Sequence, residues 1–471
     1  MPSLDATPSH RFRTVIVIIV ILLIAAGAYA LLRGGAPTVA FEAVPSAIGA
    51  QKFLTVSLQS GSGVAGVAVS FEQNGQQIPV VRRTFAPRRW FTNGAAPEVV
   101  HFGFQAGQAQ HPNLKDGPAE LVVTARSANL RGSAATVRSN VTIDTHPPAV
   151  YGLTDMVYVT QGGSALVVYH ASANAARSGV EMDNLFFPGY RLPNARPAGD
   201  GQTMFCLVAF PWDAPTASTP HLVASDAAGN QAAANFPVKT FPKTFRERTL
   251  TIDDNFISRV VMPIIAQTPS ISDQHDPVQN FLLVNRGLRR TDTQDLINAA
   301  AQTTPHFLWQ GAFTPLSNAA VEAAFADRRA YSYHGQIIDH ETHLGYDLAV
   351  VRHTPVKAAN TGRVVWAKYF GIYGNCILLD HGYGLMSLYA HLNDFEVKAG
   401  DQVRKGQLIA HSDSTGLAGG DHLHFSMLLD GVQVNPIEWW DPHWIHDRIA
   451  TKLAAFTTGP VSVAAPAMDQ R

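Results

Sequence analysis

Cysteine is nearly absent from this chain, and neither sign of charge is in excess. Two cysteines in 471 residues, Cys206 and Cys376, exclude a disulfide framework and a Cys-ligated zinc site. Each lies in an apolar, strand-like run, and both are read as buried free thiols. Lys and Arg number 35 against 36 Asp and Glu, so no basic surface is implied and nucleic acid is not an expected partner. Charged residues make up 15% of the chain, which is low for a cytosolic protein. The helical zincin motif His-Glu-x-x-His is also missing. Its nearest approach, His340-Glu341-Thr342-His343, is one residue short.

One long apolar run is present. From Val15 to Leu32 the only interruptions are Gly27 and the hydroxyl of Tyr29, which gives about 27 Å of helix at about 1.5 Å per residue. That length just spans a hydrocarbon core of about 30 Å. Arg11 and Arg13 precede it, so the positive-inside rule keeps the short tail cytoplasmic and exports everything after Arg33. The run is read as an uncleaved anchor. The competing reading is a signal peptide, with Val15 to Ala26 as its apolar region and Ala28-Tyr29-Ala30 as the cleavage site.

Short alternating runs with Gly, Asn and Asp at the turns follow: Phe53 to Leu58, Val67 to Phe71, Glu120 to Ala125 and Asn140 to Asp144. They predict a β-sandwich. Thr145-His146-Pro147-Pro148 makes a stiff joint to a second set, which includes Ala165 to Tyr169 and His221 to Asn230. Between 243 and 330 the signals turn helical. Asp276-Pro277 is a cap followed by a first-turn proline, and Thr291-Asp292-Thr293-Gln294 is a capping-box pattern expected to open a second helix over Leu296 to Ala301.

Two strings near the C-terminus carry chemistry: His343-Leu344-Gly345-Tyr346-Asp347 and Asp421-His422-Leu423-His424-Phe425. The second reads as a strand stopped by the turn Asp430-Gly431. Residues i and i+2 of a strand face one way, so His422 and His424 project together while Leu423 and Phe425 face the core. Gly345 is expected where the backbone bends tightly and lets His343 and Asp347 converge. With 19 histidines, about one His-x-His arises by chance, so that element is weak alone. His-x-Gly-x-Asp is rarer. Between the strings lie Gly362 to Ala367, Asn375 to Gly382, Leu388 to Leu392 and the Gly-punctuated Val397 to Ala410, which together predict a small antiparallel β domain. His381 is given a hydrogen-bonding role near the site or a solvent-facing strand end. His334, His340, His353 and His411 are read as structural or exposed, and the run Trp439 to Trp444 as a core cap.

Residues from about 335 to 441 resemble the lysostaphin/LytM-type zinc metallopeptidases, which cut peptidoglycan peptides. That resemblance implies one zinc ion held by His343, Asp347 and His424. It matches the family's two further histidines to His391 and His422. Ser414-Thr415-Gly416, Gly419-Gly420 and Asn435-Pro436 resemble flanking family segments. The implied catalytic residues are His422, as the main general base, and His391, as an oxyanion donor or water-orienting group; the two roles are exchangeable at this level. The string His221 to Asn230 resembles bacterial immunoglobulin-like repeats.

The expected fold class is therefore mainly β. A cytoplasmic tail (1–14) precedes a transmembrane anchor or signal peptide (15–32). Immunoglobulin-like β-sandwiches over 38–146 and 147–242 follow, then a partly helical linker region (243–330), an antiparallel β-sheet peptidase domain (331–446) and a tail (447–471). The expected function is hydrolysis of peptide bonds in peptidoglycan stems or cross-links. The expected place is the cell envelope, at an inner or plasma membrane engaged by the N-terminal helix, with the bulk of the chain outside the cytoplasm and the sandwiches as spacers or docking modules. Two alternatives stand beside it: a non-catalytic scaffold that activates a separate cell-wall amidase, and an endopeptidase for glycyl-glycine bridges or proteins. Protein partners are not identified.

Overall fold

The computed structural model describes residues 14–15, 17–25, 35–86, 99–129, 131–197, 199–459 and 463. The described positions between 14 and 25 are helical, but among the described residues no helix is long and apolar enough to cross a membrane. The expected anchor over 15–32 gains no support there; Ile16 and 26–32, like most of the expected tail over 1–14, lie outside the described residues. Residues 460–462 and 464–471 of the expected C-terminal tail also lie outside them. What is described is mainly β.

The chain forms two compact units, one of residues 1–148 with 225–231 and one of 149–224 with 232–471. In the first, a three-stranded sheet (Thr38–Phe41, Lys52–Gln59, Val99–Ala106) faces a five-stranded one that includes Val64–Gln73, Gly117–Ser127 and Ala134–Ile143. Alternate residues point inward, so Leu54, Val56 and Leu58 meet Phe71, Leu121 and Val123 in a single core. The resemblance to immunoglobulin-like repeats finds no support beyond such facing sheets.

The second unit is built around an antiparallel sheet. Its neighbouring strands are, in order, Ala320–Ala323, Tyr346–Ala349, His422–Leu429, Leu385–Leu392, Asn375–Gly382, Gly362–Tyr369 and Gln402–Val403. Its three central strands are buried along almost their whole length, because both faces are covered. On one face, Leu423, Phe425, Met427 and Tyr389 share a core with Tyr169, Phe205 and Phe210 of the preceding β layers (150–241). On the other, Leu378, Met386, Leu388 and Leu428 pack under Val261, Phe281, Val284 and Leu296 of two helical segments. A sheet covered on both sides needs apolar residues at nearly every position, which is why these strands read as continuous apolar runs.

The β layers of 150–224 and 232–241 are thus a wall of this unit rather than a spacer. Trp439, fully buried, donates its indole N–H to Ser164 Oγ at 3.1 Å, and Ser164 N–H donates to Glu438 Oε2 at 2.7 Å. Trp439 also packs on Trp309 and Trp444, so the tryptophan run caps the core.

The helical region departs from expectation at one point. Asp276 does cap a helix, accepting from Gln279 N–H at 2.7 Å with Pro277 behind it. That helix then continues from Pro277 through a wider π-type stretch (Leu283–Leu288) to Ala300. No second helix opens at 296. Thr291 and Thr293 bond back to the carbonyls of Gly287 and Arg289 (3.3 and 2.9 Å) inside a helix already running. Asp292, the middle of the apparent capping box, is buried and instead accepts from Ile372 N–H at 2.9 Å. A further helical segment spans Asp254–Gln267 behind an Asp253 cap, and Glu247–Ile252 pairs parallel to Asp327–Tyr333.

Two outcomes follow. Trp439→Ala removes one of the two largest fully buried side chains of the shared core and is expected to lower the stability of this unit by about 3–5 kcal/mol, measured by denaturant unfolding of the chain. Burial pushes the Glu438 carboxyl up to about 7, against the opposing Ser164 N–H, from an ordinary value of 4.5. Between those values the folded unit keeps a proton that the unfolded chain has lost, so stability falls as pH rises through that window. Glu438→Gln should flatten the decline in a series of melts from pH 4 to pH 8.

Candidate functional site

The strand register brings the two C-terminal strings together. Asp347 lies directly opposite His424 across paired strands, and Ala390 opposes His424 on the other side. His343 ends the strand Gln336–His343, and its ring swings toward the same point. His343 Nε2, Asp347 Oδ1 and His424 Nδ1 stand 2.8 to 3.0 Å from one another. All three residues are buried. His422 Nε2 is 3.4 Å from the same Asp347 oxygen.

Gly345 serves this convergence in a way other than expected. Its backbone is not left-handed; instead, a Cβ there would sit 2.6 Å from both His424 Nε2 and Ser426 Oγ. The glycine makes room for the ring.

Each imidazole is fixed from behind. His343 Nδ1 donates to Ala324 O (3.0 Å), His422 Nδ1 to Gly420 O (2.8 Å) and His391 Nδ1 to Thr415 O (2.7 Å). His424 Nε2 donates to Ser426 Oγ (2.9 Å), because that hydroxyl spends its own proton on Leu344 O (2.6 Å). These partners assign the tautomers. In the neutral ring each inward nitrogen then offers a lone pair, and those of His343 and His424 face a carboxylate oxygen that is also only an acceptor. Acceptors buried against one another are costly unless a proton or a metal cation sits among them. Two imidazoles and a carboxylate are a zinc donor set, with ligand distances of about 2.0–2.2 Å, so the residues fit the ion that the sequence implies.

The electrostatics agree. Burial works to raise the Asp347 carboxyl, but His343, His422 and His424 around it hold it well below the usual carboxylate range. Burial brings His424 down to about 4, and burial with the neighbouring His422 and His424 holds His391 well below its usual value. His422 moves the other way, Asp347 outweighing its burial.

His391 reaches the site by breaking the strand's alternation. In Leu385–Leu392, Met386, Leu388 and Ala390 face the helical side, where the site lies, so strict alternation would send His391 to the opposite face. Its φ of +60° turns the ring back, 4.8 Å between centroids from His422 and 5.8 Å from His424. Asp413 N–H holds its carbonyl at 2.9 Å. Strain of this kind is kept only where the surroundings enforce it.

His381 fits neither role expected of it. It is fully buried on the other face, against Phe313, bonded to Thr361 O (2.8 Å) and Ser387 Oγ (2.7 Å). His334, His340 and His353 are exposed, and His411 pairs with Asp394 at 3.0 Å; none joins the constellation. Cys206 and Cys376 are buried free thiols.

Two participants carry no sequence signal or only a faint one. Arg329 donates to Asp347 Oδ2 at 2.8 Å, holding the carboxylate so that Oδ1 faces the histidines. It lies 14 residues ahead of the first motif. Ser426, by contrast, sits two positions after His424 on the same face. Ser426→Ala removes the acceptor that fixes the His424 tautomer, and zinc affinity should drop about 10–100-fold in chelator competition while the fold persists.

Residues 341–436 match the sequence profile of Peptidase family M23. Mpg, a DD-carboxypeptidase/endopeptidase of Neisseria meningitidis serogroup B, is 36% identical over 107 residues, 23% of this chain and 25% of that protein. The peptidoglycan DD-endopeptidase ShyC of Vibrio cholerae serotype O1 is 34% identical over 123 residues, 26% of this chain and 28% of its own. The murein hydrolase activator EnvC of Escherichia coli is 42% identical over 86 residues, 18% and 20% of the two chains. The chain thus spans about a quarter of the length of the curated relatives it matches.

Proposed function

Since its C-terminal part is a peptidase M23 domain, we propose that this chain is a zinc-dependent endopeptidase that hydrolyses peptide bonds in peptidoglycan stems or cross-links. The observation that carries the proposal is the convergence of His343 Nε2, Asp347 Oδ1 and His424 Nδ1 within 3.0 Å of one another, the outer nitrogen of each ring being already engaged. One zinc ion held there would supply an acidified water and polarise the scissile carbonyl. His422, whose Nδ1 is held by Gly420 O so that Nε2 faces the site, takes the proton of the nucleophilic water there and returns it to the leaving amine. His391 Nε2 is likewise a lone pair, which suits it to orienting that water. An oxyanion-donor role would require protonating a histidine whose burial opposes charge. Arg329 keeps the Asp347 carboxylate aimed.

The compartment belongs to the same proposal. A cell-envelope location, with residues 15–32 engaging the membrane and the hydrolase outside the cytoplasm, rests on the apolar run, the flanking arginines and the nature of the substrate. Likeness to a murein hydrolase activator favours a second reading, a scaffold for a separate amidase. The complete ligand set weighs against it.

The test is zinc content and soluble muropeptide release by the purified chain, beside two variants. His424→Ala is expected to lose both metal and activity. His422→Ala should keep one zinc and lose about 10²–10⁴-fold in rate. A wild-type chain that binds zinc, releases nothing and stimulates an added amidase would establish the scaffold reading instead. A panel of defined peptides separates cross-link cleavage from cleavage of glycyl-glycine or protein bonds.

A further inference from the structure

A cavity of the second unit, about 910 Å³, opens beside His343 and His424 and runs between the helix that ends at Ala300 and the sheet containing Asp327–Tyr333. Its walls carry six arginines: Arg248, Arg286, Arg289, Arg290, Arg328 and Arg329. In a chain with 35 basic and 36 acidic residues, that is a strong local excess. Four of the six face acidic partners: Arg329 meets Asp347 (2.8 Å), Arg286 meets Asp339 (2.6 Å), Arg328 meets Glu247 (3.5 Å) and Arg289 meets Glu341 (3.8 Å). Six cations less four anions leave two positive charges. The uncompensated groups are Arg248, bonded only to the neutral carbonyl of Glu322 (3.0 Å), and Arg290, which has no hydrogen-bond or ion-pair partner among the described residues.

Positive charge left unneutralised in a concave groove concentrates the field there and draws anions. The groove is also built to hold one. Arg289 is braced by Asn285 O (3.0 Å) and Asn285 Oδ1 (2.8 Å), which orients its guanidinium in advance and leaves further N–H donors for a planar acceptor. The helix that bears Arg289 and Arg290 is pinned to the sheet through Phe281, Val284 and Leu296, so its arginines keep their position relative to the metal centre.

Building on the endopeptidase reading, we propose that this groove is the substrate-binding arm of the site and selects peptides that carry free carboxylates. Arg290 and Arg248 are its specificity-determining residues, with Arg289 as a positioning residue beside them. Amidation of the substrate's carboxylates removes the charge the groove reads, so such a substrate binds more weakly.

The experiment uses the zinc-loaded chain and two synthetic cross-linked peptides that are identical except that one has its carboxylates free and the other has them amidated. Binding is read by fluorescence anisotropy and turnover by product release. The free-carboxylate peptide is expected to bind about tenfold tighter, the difference appearing in KM rather than kcat and shrinking as salt is raised. Arg290→Gln with Arg248→Gln should bring the two affinities to within about threefold of each other, with zinc content still one per chain and thermal melting preserved. Arg290→Glu should invert the preference. Equal affinity of the wild-type chain for the two peptides, or a preference that survives the double substitution, overturns the proposal. The binding arm needs no turnover. A chain that prefers the free-carboxylate peptide but cleaves neither defeats the hydrolase reading and supports the groove, whereas one that cleaves both equally defeats the groove alone.

Discussion

Burying electron-pair donors that face only one another is the constraint from which the rest of the second unit follows. With neither a proton nor a metal cation among them, His343 Nε2, His424 Nδ1 and Asp347 Oδ1 have no favourable partner at their meeting point. Nothing local could enforce such an arrangement, so distant backbone does it. The carbonyls of Ala324, Gly420 and Thr415 and the hydroxyl of Ser426 each claim the outward N–H of one ring. Each claim fixes a tautomer, and each tautomer turns a lone pair inward. The outer partners therefore decide the chemistry of the inner atoms as firmly as the ligands themselves do.

Such precision needs a stiff frame, and the double burial of the sheet provides one. A sheet covered on one face can twist toward solvent; this one is clamped between the β layers of 150–224 and 232–241 and the helices of 254–300. Ser164 links the first clamp to the helix after the last strand, through Glu438 and Trp439. Asp292 links the second, reaching from mid-helix to the Ile372 amide. Segments that looked like a spacer and a linker are thus structural walls, and one of them also faces the cavity beside His343 and His424.

What the sequence disclosed tracks the range of the interactions involved. His422 and His424 could be placed on one face because strand geometry is local, and His343 and Asp347 because four residues with a glycine between them constrain each other. His391 was reached only through family resemblance. Simple alternation puts it on the wrong face, and the φ of +60° that corrects this has no signature in a non-glycine residue. Arg329 lies outside both strings and announces itself by no spacing. Thr291 to Gln294 misled because a capping box and a mid-helix run of hydroxyls that bond backward look alike in one dimension. His381 misled for a related reason: an imidazole near a strand end is fully satisfied inside the core once Thr361 and Ser387 reach it. For the stretch 15–32, the apolar pattern remains the whole basis of the membrane reading.

Hydrolase and activator likenesses each cover about a quarter of the relatives or less, so identity does not separate the two classes; the polar atoms favour the hydrolase proposed above. A scaffold has no use for buried acceptors without donors, and removing them would relieve a standing cost to its fold. Here the full set is kept, together with four outer partners, a glycine that clears space for one ring and a strained backbone at another. Cost borne at one point and supported from several directions marks a site whose value lies in function rather than stability. The same reasoning extends to the groove, where two arginines remain unpaired by acid in a chain that has acidic residues enough to pair them all. Both features are incomplete alone, and the partners they lack, a divalent cation and an anionic peptide, are those that peptide hydrolysis in a cell wall would bring to one place.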